Sequence, residues 1–305
     1  LAEAYGVREI FAAIAERIAK NEPCAVATLV AAHDATPAPL GTSLLVTADG
    51  AFLGNIGAGC HEGAIVEAAQ AALRDGTSSA LAFDLKDDVL DGSACGARLE
   101  IVVWIPDATF LQTAAKIVAG REDVHFALLH FHVEIPRKKH LVIVGATSLA
   151  AELVLLAKRL DVRTTVIDPR PPFATHLRHP FTDELLVQWP QDALPALLNS
   201  DTFVAIVAHD AKIDLPAIRC ALQSNAAYIG VIGNRRTQAM RRKVLAAEGY
   251  DMHSLDRLHG PAGLDLGGAG TGEIALSILA EITAIENARS ARPLRTTEGR
   301  IHGDL

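Results

Sequence analysis

Gly57-Ala58-Gly59-Cys60-His61-Glu62-Gly63 puts together residue types that packing alone seldom asks for in one place. Glycines let a backbone approach a ligand closely, and the free N–H groups at a helix start favour anions. The same positive helix end lowers the pKa of a thiol, which makes Cys60 a better nucleophile or soft-metal ligand. A second Cys-Gly pair, Cys95-Gly96, lies in a separate segment. Only the fold could bring both thiols to one centre. Cys24, after Pro23 at the head of a strand, and Cys220, inside a helix, read as core residues instead.

The second half carries a different signature. Gly145-Ala146-Thr147-Ser148-Leu149-Ala150 follows an apolar strand and approximates the dinucleotide fingerprint G-x-G-x-x-A, with Thr147 in place of the middle glycine. Asp168 lies where an acid commonly accepts from a ribose hydroxyl. Three more loops leave the carboxyl ends of expected strands: Ala208-His209-Asp210, Gly233-Asn234-Arg235-Arg236-Thr237, and His259-Gly260-Pro261-Ala262-Gly263-Leu264-Asp265. Open α/β sheets bind their ligands along that edge.

Elements must deliver and receive these loops. Ala51 to Ile56 reads as the strand entering the Gly-Cys turn, paired through the Asp49-Gly50 hairpin with Ser43 to Thr47. Glu62 to Arg74 reads as the helix leaving it. Upstream, Val7, Ile10, Phe11, Ile14 and Ile18 fall at helical spacing, and Ala25 to Val30 reads as a strand. Ala80 to Leu85 and Arg98 to Ile105 are strands around the acidic loop that holds Cys95. Thr109 to Ala119 reads as a helix and Phe126 to Val133 as one extended run. A proline and a charge run, Glu134 to His140, mark the boundary between domains 1–133 and 134–305.

Beyond it, His140 to Gly145, Arg163 to Ile167, Phe203 to Ala208 and Tyr228 to Ile232 read as strands, with helices filling the intervals. Ser148 to Leu160 is the first of these helices. The last, Gly272 to Asn287, is expected to take Thr271 as its N-cap, with Glu273 one position early for a capping box. Strand–helix alternation implies right-handed βαβ units. The fold class is therefore α/β: an N-terminal mixed α/β domain, then a Rossmann-like doubly wound parallel sheet domain.

Composition narrows the function. Its 305 residues suit two domains, half of them hydrophobic but few aromatic, so the core rests on Ala, Val, Leu and Ile. A net charge of −8 argues against nucleic-acid or anionic-membrane partners. The cluster Arg235-Arg236 with Arg241-Arg242-Lys243 reads as a solvated helix face. No apolar run reaches the roughly 18 residues that span a bilayer, and Leu1 to Lys20 reads as an amphipathic helix rather than a targeting segment. A cytoplasmic protein is expected. Four dispersed cysteines without a C-x-x-C pair argue against a disulfide framework or structural zinc.

With these residues in hand, the chain resembles the XdhC/CoxI family of accessory proteins for molybdenum hydroxylases such as xanthine dehydrogenase. The first half carries the likeness in Gly41 to Leu45, Val46 to Gly50, Gly57 to Gly63 and Cys95-Gly96-Ala97. The second carries it in Ala208-His209-Asp210, Tyr228-Ile229-Gly230, Gly233 to Thr237, His259 to Asp265 and Glu273 to Ile282. Two segments depart from the family pattern. Gly145-Ala146-Thr147-Ser148 stands where the family has Gly-Ala-Gly-His, and Ala269-Gly270-Thr271-Gly272 replaces an Arg-Thr-Pro-like run.

The resemblance implies a chaperone rather than a turnover enzyme. It would bind molybdenum cofactor, hold it during sulfuration, and deliver it to a molybdenum hydroxylase apoenzyme. A cysteine desulfurase would be a further partner, and the assembly a homodimer. Cys60 and Cys95 are the expected metal ligands, with Glu62 orienting a polar group or a proton. Gly57, Gly59 and Gly96 would supply backbone to the cofactor, joined by Gly145, Asp168, His209, Asp210, Gly233 and Arg235. Two other readings stay open: an NAD(P)-dependent oxidoreductase working through Gly145 and Asp168, and a non-catalytic assembly scaffold.

Overall fold

A strand buried on both faces organises the first of two units. The computed structural model describes residues 6–33, 38–56, 62–84 and 98–298, and these separate into two units between Lys138 and Lys139. The first runs α1 (Val7–Ala19), β1 (Cys24–His33), β2 (Ser43–Thr47), β3 (Phe52–Gly54), α2 (Glu62–Asp75), β4 (Ser79–Asp84) and β5 (Arg98–Trp104). It continues through α3 (Leu111–Ala119) to a hairpin of β6 (Val124–Leu128) and β7 (Phe131–Ile135). The five-stranded sheet has the order β3-β2-β1-β5-β4 and is antiparallel throughout.

Side-chain alternation divides β1 between two cores. Cys24, Val26 and Val30 pack with Ile10, Phe11, Ile14 and Ile117 of α1 and α3. Ala25, Ala27 and Leu29 pack with Ile65, Ala69 and Ala72 of α2. Buried Thr28 is fully used: its hydroxyl accepts from Trp104 Nε1 at 3.0 Å and lies 3.0 Å from Ser43 Oγ, which donates to the Gly41 carbonyl at 2.9 Å. Pairing of this kind is what a buried polar group requires.

The direction of α2 matters for the site. In its second half Gln70 Nε2 donates to the Ala48 carbonyl, just past β2, at the end of the sheet where Cys24 pairs with Thr47. The opposite end is where β1 finishes at His33, β5 starts at Arg98 and β4 finishes at Asp84. A 14-residue helix and a six-residue strand each rise about 20 Å. Because only three residues separate the end of α2 from the start of β4, Glu62 is carried back to the end where Asp84 and Arg98 lie.

The second unit runs β8 (His140–Val144), α4 (Ser148–Arg159), β9 (Arg163–Ile167), β10 (Glu184–Leu186), α5 (Pro190–Ala193) and β11 (Thr202–Ile206). Then come α6 (Ala211–Leu222), β12 (Tyr228–Val231), α7 (Arg235–Ala247), α8 (Met252–Asp256), β13 (Leu258–His259) and α9 (Thr271–Glu286). Its sheet, β10-β9-β8-β11-β12-β13, is parallel throughout. Counted within the unit this is the order 3-2-1-4-5-6 of dinucleotide-binding folds. Leu141, Ile143 and Phe203 face α4 and α9, while Val142, Val144 and Val204 face α6, α7 and α8.

Several expectations need correction. The run Phe126 to Val133 is a hairpin, turned by Leu129 in the left-handed region at φ +56°. The division between Lys138 and Lys139 falls within the run Glu134 to His140. The Arg8 guanidinium holds the Ile117 and Pro136 carbonyls, and Lys138 N donates to Gly120 O at 2.9 Å. No helix fills the interval between β9 and β10, where Pro169, Pro171, Pro172 and Pro180 disfavour one. Helix α9 is capped by Gly270, not Thr271. Glu273 therefore stands at the third helical position and accepts from Gly270 N at 3.0 Å and Ala269 N at 3.1 Å. Among the described residues no helix is long and apolar enough to cross a membrane.

Candidate functional site

Two regions carry the expected site residues, one in each unit. Gly57, Gly59, Cys60, Cys95 and Gly96 lie outside the described residues. Their flanks are well defined. The approach passes Gly54, at φ +96°, where a Cβ would stand 2.6 Å from the Ser43 carbonyl oxygen and 2.9 Å from Ile10 Cδ1. Only glycine fits so close a crossing. Half-buried Glu62 opens α2, a position where a carboxylate favours the positive helix end. The chain bearing Cys60 thus re-enters described structure at the end of the sheet where Asp84 and Arg98 bracket the segment bearing Cys95.

The other thiols behave as packing residues. Cys24 is buried in the first unit, and Cys220 packs half-buried against the second core. Burial raises both pKa values, which disfavours the thiolate form. Among the described residues no three His, Cys, Asp or Glu side chains are grouped as a metal site.

In the second unit the parallel sheet brings the loops after β8, β9, β11, β12 and β13 to one carboxyl edge. Gly145 sits at φ +108°, and a Cβ there would stand 2.5 Å from both the N and Cα of Ala208. The first fingerprint glycine therefore lets the β8 and β11 loops pass at the point where strand order reverses.

Asp168 does reach the fingerprint turn, but its oxygens are in use. Oδ2 accepts from Ala146 N at 2.8 Å and from Arg170 Nη2 at 2.7 Å. Oδ1 accepts from Arg170 N and Arg170 Nε, both at 2.9 Å. Burial alone would raise this carboxyl's pKa, yet the Arg170 guanidinium and the two amides outweigh it and hold the group below its usual range. A ribose hydroxyl would have to displace the guanidinium. Thr147, at the departure from the fingerprint, is the N-cap of α4, and its hydroxyl accepts from Ala150 N at 3.3 Å. Its side chain thus takes one of the N–H groups that a helix start would offer to a phosphate.

The remaining expected residues frame the same edge. Exposed His209 is left-handed at φ +58°, and Asp210 caps α6 by accepting from Lys212 N at 2.9 Å. Gly233, at φ +129°, precedes the N-cap Asn234 of α7, and exposed Arg235 is the first residue of that helix. Residues that motif reading passed over tie these loops together. Gln238 Nε2 donates to the Val231 and Ile232 carbonyls at 2.9 and 3.0 Å, and Arg241 Nη1 to Ile232 O at 2.6 Å. Arg241 also pairs with fully buried Asp214 on α6. Burial raises the Asp214 carboxyl to about 6, against the pull of Arg241 and His209.

A second network anchors the loop after β13. Glu281 Oε2 accepts from Tyr228 Oη at 2.5 Å and from Gly263 N at 2.8 Å, while His259 Nδ1 lies 3.3 Å from Oε1. The His259 ring stacks on Tyr228, centroids 4.8 Å apart. Burial would raise the pKa of Glu281, but these partners lower it. The Tyr228 ring lies across Gly230, where a Cβ would stand 2.5 Å from Tyr228 Oη. That contact gives a physical reason for Tyr228-Ile229-Gly230.

Strand order and loop placement define the class: a Rossmann-type unit following a unit built on an antiparallel five-stranded sheet. Compared with known proteins, residues 141–282 match the family described as "XdhC Rossmann domain" and residues 17–84 match "XdhC and CoxI family". The chain belongs to the XdhC and CoxI family.

Named relatives are more distant. The chain is 26% identical over 282 residues to an uncharacterised protein, YqeB, of Escherichia coli (strain K12), covering 91% of this chain and 46% of that one. It is 31% identical over 180 residues to a probable xanthine dehydrogenase subunit of Bacillus subtilis (strain 168), covering 58% and 52%. It is 28% identical over 90 residues to the molybdenum cofactor insertion chaperone PaoD of E. coli, covering 30% and 28%. The chain spans about half the length of the first two curated relatives. A crystal structure described as a xanthine dehydrogenase from Bacillus halodurans superposes with a TM-score of 0.77 at 22% identity, over 96% of this chain and 98% of that one. At that identity the likeness establishes the fold.

Proposed function

We propose that this protein is an accessory chaperone that binds molybdenum cofactor, holds it during sulfuration and passes it to a molybdenum hydroxylase. The observation that carries this is the course of α2. It returns Glu62, two residues after Cys60, to the end of the sheet that brackets Cys95. Two thiols and a carboxylate suit a soft metal centre, and hard-cation sites would call for more oxygen donors. Cys60 and Cys95 would hold the metal–sulfur end, and the amides of Gly57, Gly59 and Gly96 an anionic tail. When bound, the cofactor would supply a soft molybdenum centre for sulfuration, with a cysteine desulfurase as the proposed sulfur source and Cys60 and Cys95 holding the centre in place. Glu62, half-buried at the helix start, would orient a donor or carry a proton beside that centre. Gly145, Asp168, His209, Asp210, Gly233 and Arg235 are proposed as a second contact region.

Purification from a cofactor-producing host tests this. Pterin and molybdenum should co-purify in stoichiometric amounts with the wild-type chain and with Cys24→Ala. They should fall several-fold with Cys60→Ala. Equal retention by Cys60→Ala overturns the cysteine assignment, and no retention by wild type overturns the carrier reading.

A second reading, an NAD(P)-dependent oxidoreductase, draws on the strand order and on Gly145. Thr147 capping α4 and Arg170 neutralising Asp168 weigh against it. Saturable NADH or NADPH binding, followed by nicotinamide fluorescence, would favour it.

A further inference from the structure

The outer face of α7 is cationic along one side and apolar along the other. Helical spacing places Arg236 and Lys243 together, next to Met240, Val244 and Ala247, with Arg235 about a quarter turn away at the helix start. Met240 is 61% exposed and Val244 38%. The inner face, Gln238, Arg241 and Leu245, is occupied with the sheet edge and core described above. Arg242 turns towards α8, donating to Leu255 O at 2.9 Å and pairing with Asp256.

Nearby acids are already engaged. Asp256 is held by Arg242, Asp214 by Arg241, and Glu248 by Arg219 through bonds of 2.8 and 2.6 Å. Among the described residues, Arg235, Arg236 and Lys243 have neither an ion pair nor a side-chain hydrogen bond. The first turn of α7 holds no acid, so Arg235 and Arg236 oppose the helix dipole. Arg236 and Lys243, beside exposed methionine and valine, form a positive and partly apolar face that is complementary to an acidic surface with an apolar centre. Methionine also adapts its shape to an apposed apolar surface.

We propose that the outer face of α7 docks an acidic protein surface with an apolar centre, and that this partner is the apo-hydroxylase that receives the cofactor. The partner's identity rests on the carrier reading; the chemistry of the face does not. Charge complementarity of this kind steers encounter and sets partner choice.

The test uses the full chain and a purified molybdenum hydroxylase in its apo form, with binding followed by interferometry at low and high salt. Arg236→Glu/Lys243→Glu should weaken binding by roughly tenfold or more, and wild-type affinity should fall as salt rises. The charge-matched control Arg289→Glu/Arg292→Glu should bind like wild type. Circular dichroism and pterin retention should match wild type in both variants, which separates docking from folding and from cofactor binding. Unchanged affinity in Arg236→Glu/Lys243→Glu, or an equal loss in the control, overturns the proposal. So does wild-type binding to polyuridylate or to phosphatidylserine vesicles that this variant abolishes while hydroxylase binding persists. A wild-type chain that keeps its pterin yet ignores the apoenzyme sinks the docking face alone. Loss of both sinks the carrier reading as well.

Discussion

Arg170 clasps Asp168 through Nε and Nη2 at 2.9 and 2.7 Å, while the same carboxylate holds Ala146 N. The pair ties the loop after β9 to the fingerprint turn after β8. Asp168→Ala would leave a buried amide and a guanidinium without their acceptor. We expect a loss of about 2–4 kcal/mol, read by urea unfolding, with Asp168→Asn losing less. A change under about 0.5 kcal/mol would contradict this account.

Acid should act on two carboxylates with opposite sign. The folded pKa of Asp168 is lowered below 3.8, so its contribution is complete above about pH 4 and fades as pH falls through the folded value. The folded pKa of Asp214 is raised from 3.8 to about 6. Its contribution is therefore greatest below about pH 4 and is lost as pH rises from about 4 to 6. Asp214→Asn should flatten the stability profile across that window. An unaltered profile would show that another group is titrating.

Two glycines with positive φ should respond differently to a methyl group. Gly145→Ala drives a Cβ into the backbone of Ala208 and should cost about 2–4 kcal/mol. Gly76, at φ +68°, has nothing within 4 Å, so Gly76→Ala should cost only about 1 kcal/mol of backbone strain. Thermal shifts of the two variants give the ranking, and a reversed order would contradict it.

Thr147 should be worth a helix cap. Thr147→Ala is expected to lose about 1 kcal/mol and Thr147→Ser almost nothing. Denaturant midpoints of both variants check this. Equal losses would mean that the hydroxyl is not the reason for threonine.

Much of the architecture was readable because buried parallel strands are continuous apolar runs: His140 to Val144 and Thr202 to Ile206 announce themselves. The β6–β7 hairpin was not, since Leu129 makes its turn without glycine or asparagine. Strands β10 and β13 are too short for a periodic signal. Position 168 followed from spacing after Gly145, but Arg170 as its partner did not. Tyr228, His259 and Glu281 come from three separate elements, and only packing unites them. The basic cluster read as one solvated face splits instead: Arg241 and Arg242 turn inward to partners, while Arg235, Arg236 and Lys243 face out. That split follows helical spacing once Gln238 and Leu245 mark the inner side.

The two tryptophans fall one to each unit. Trp104 is sealed in the first, its indole N–H locked to Thr28, whereas Trp189 is 44% exposed in the second. Melting of the first unit should thus redden indole emission, and melting of the second should barely shift its colour. The molecule carries its own optical label for telling which half lets go first.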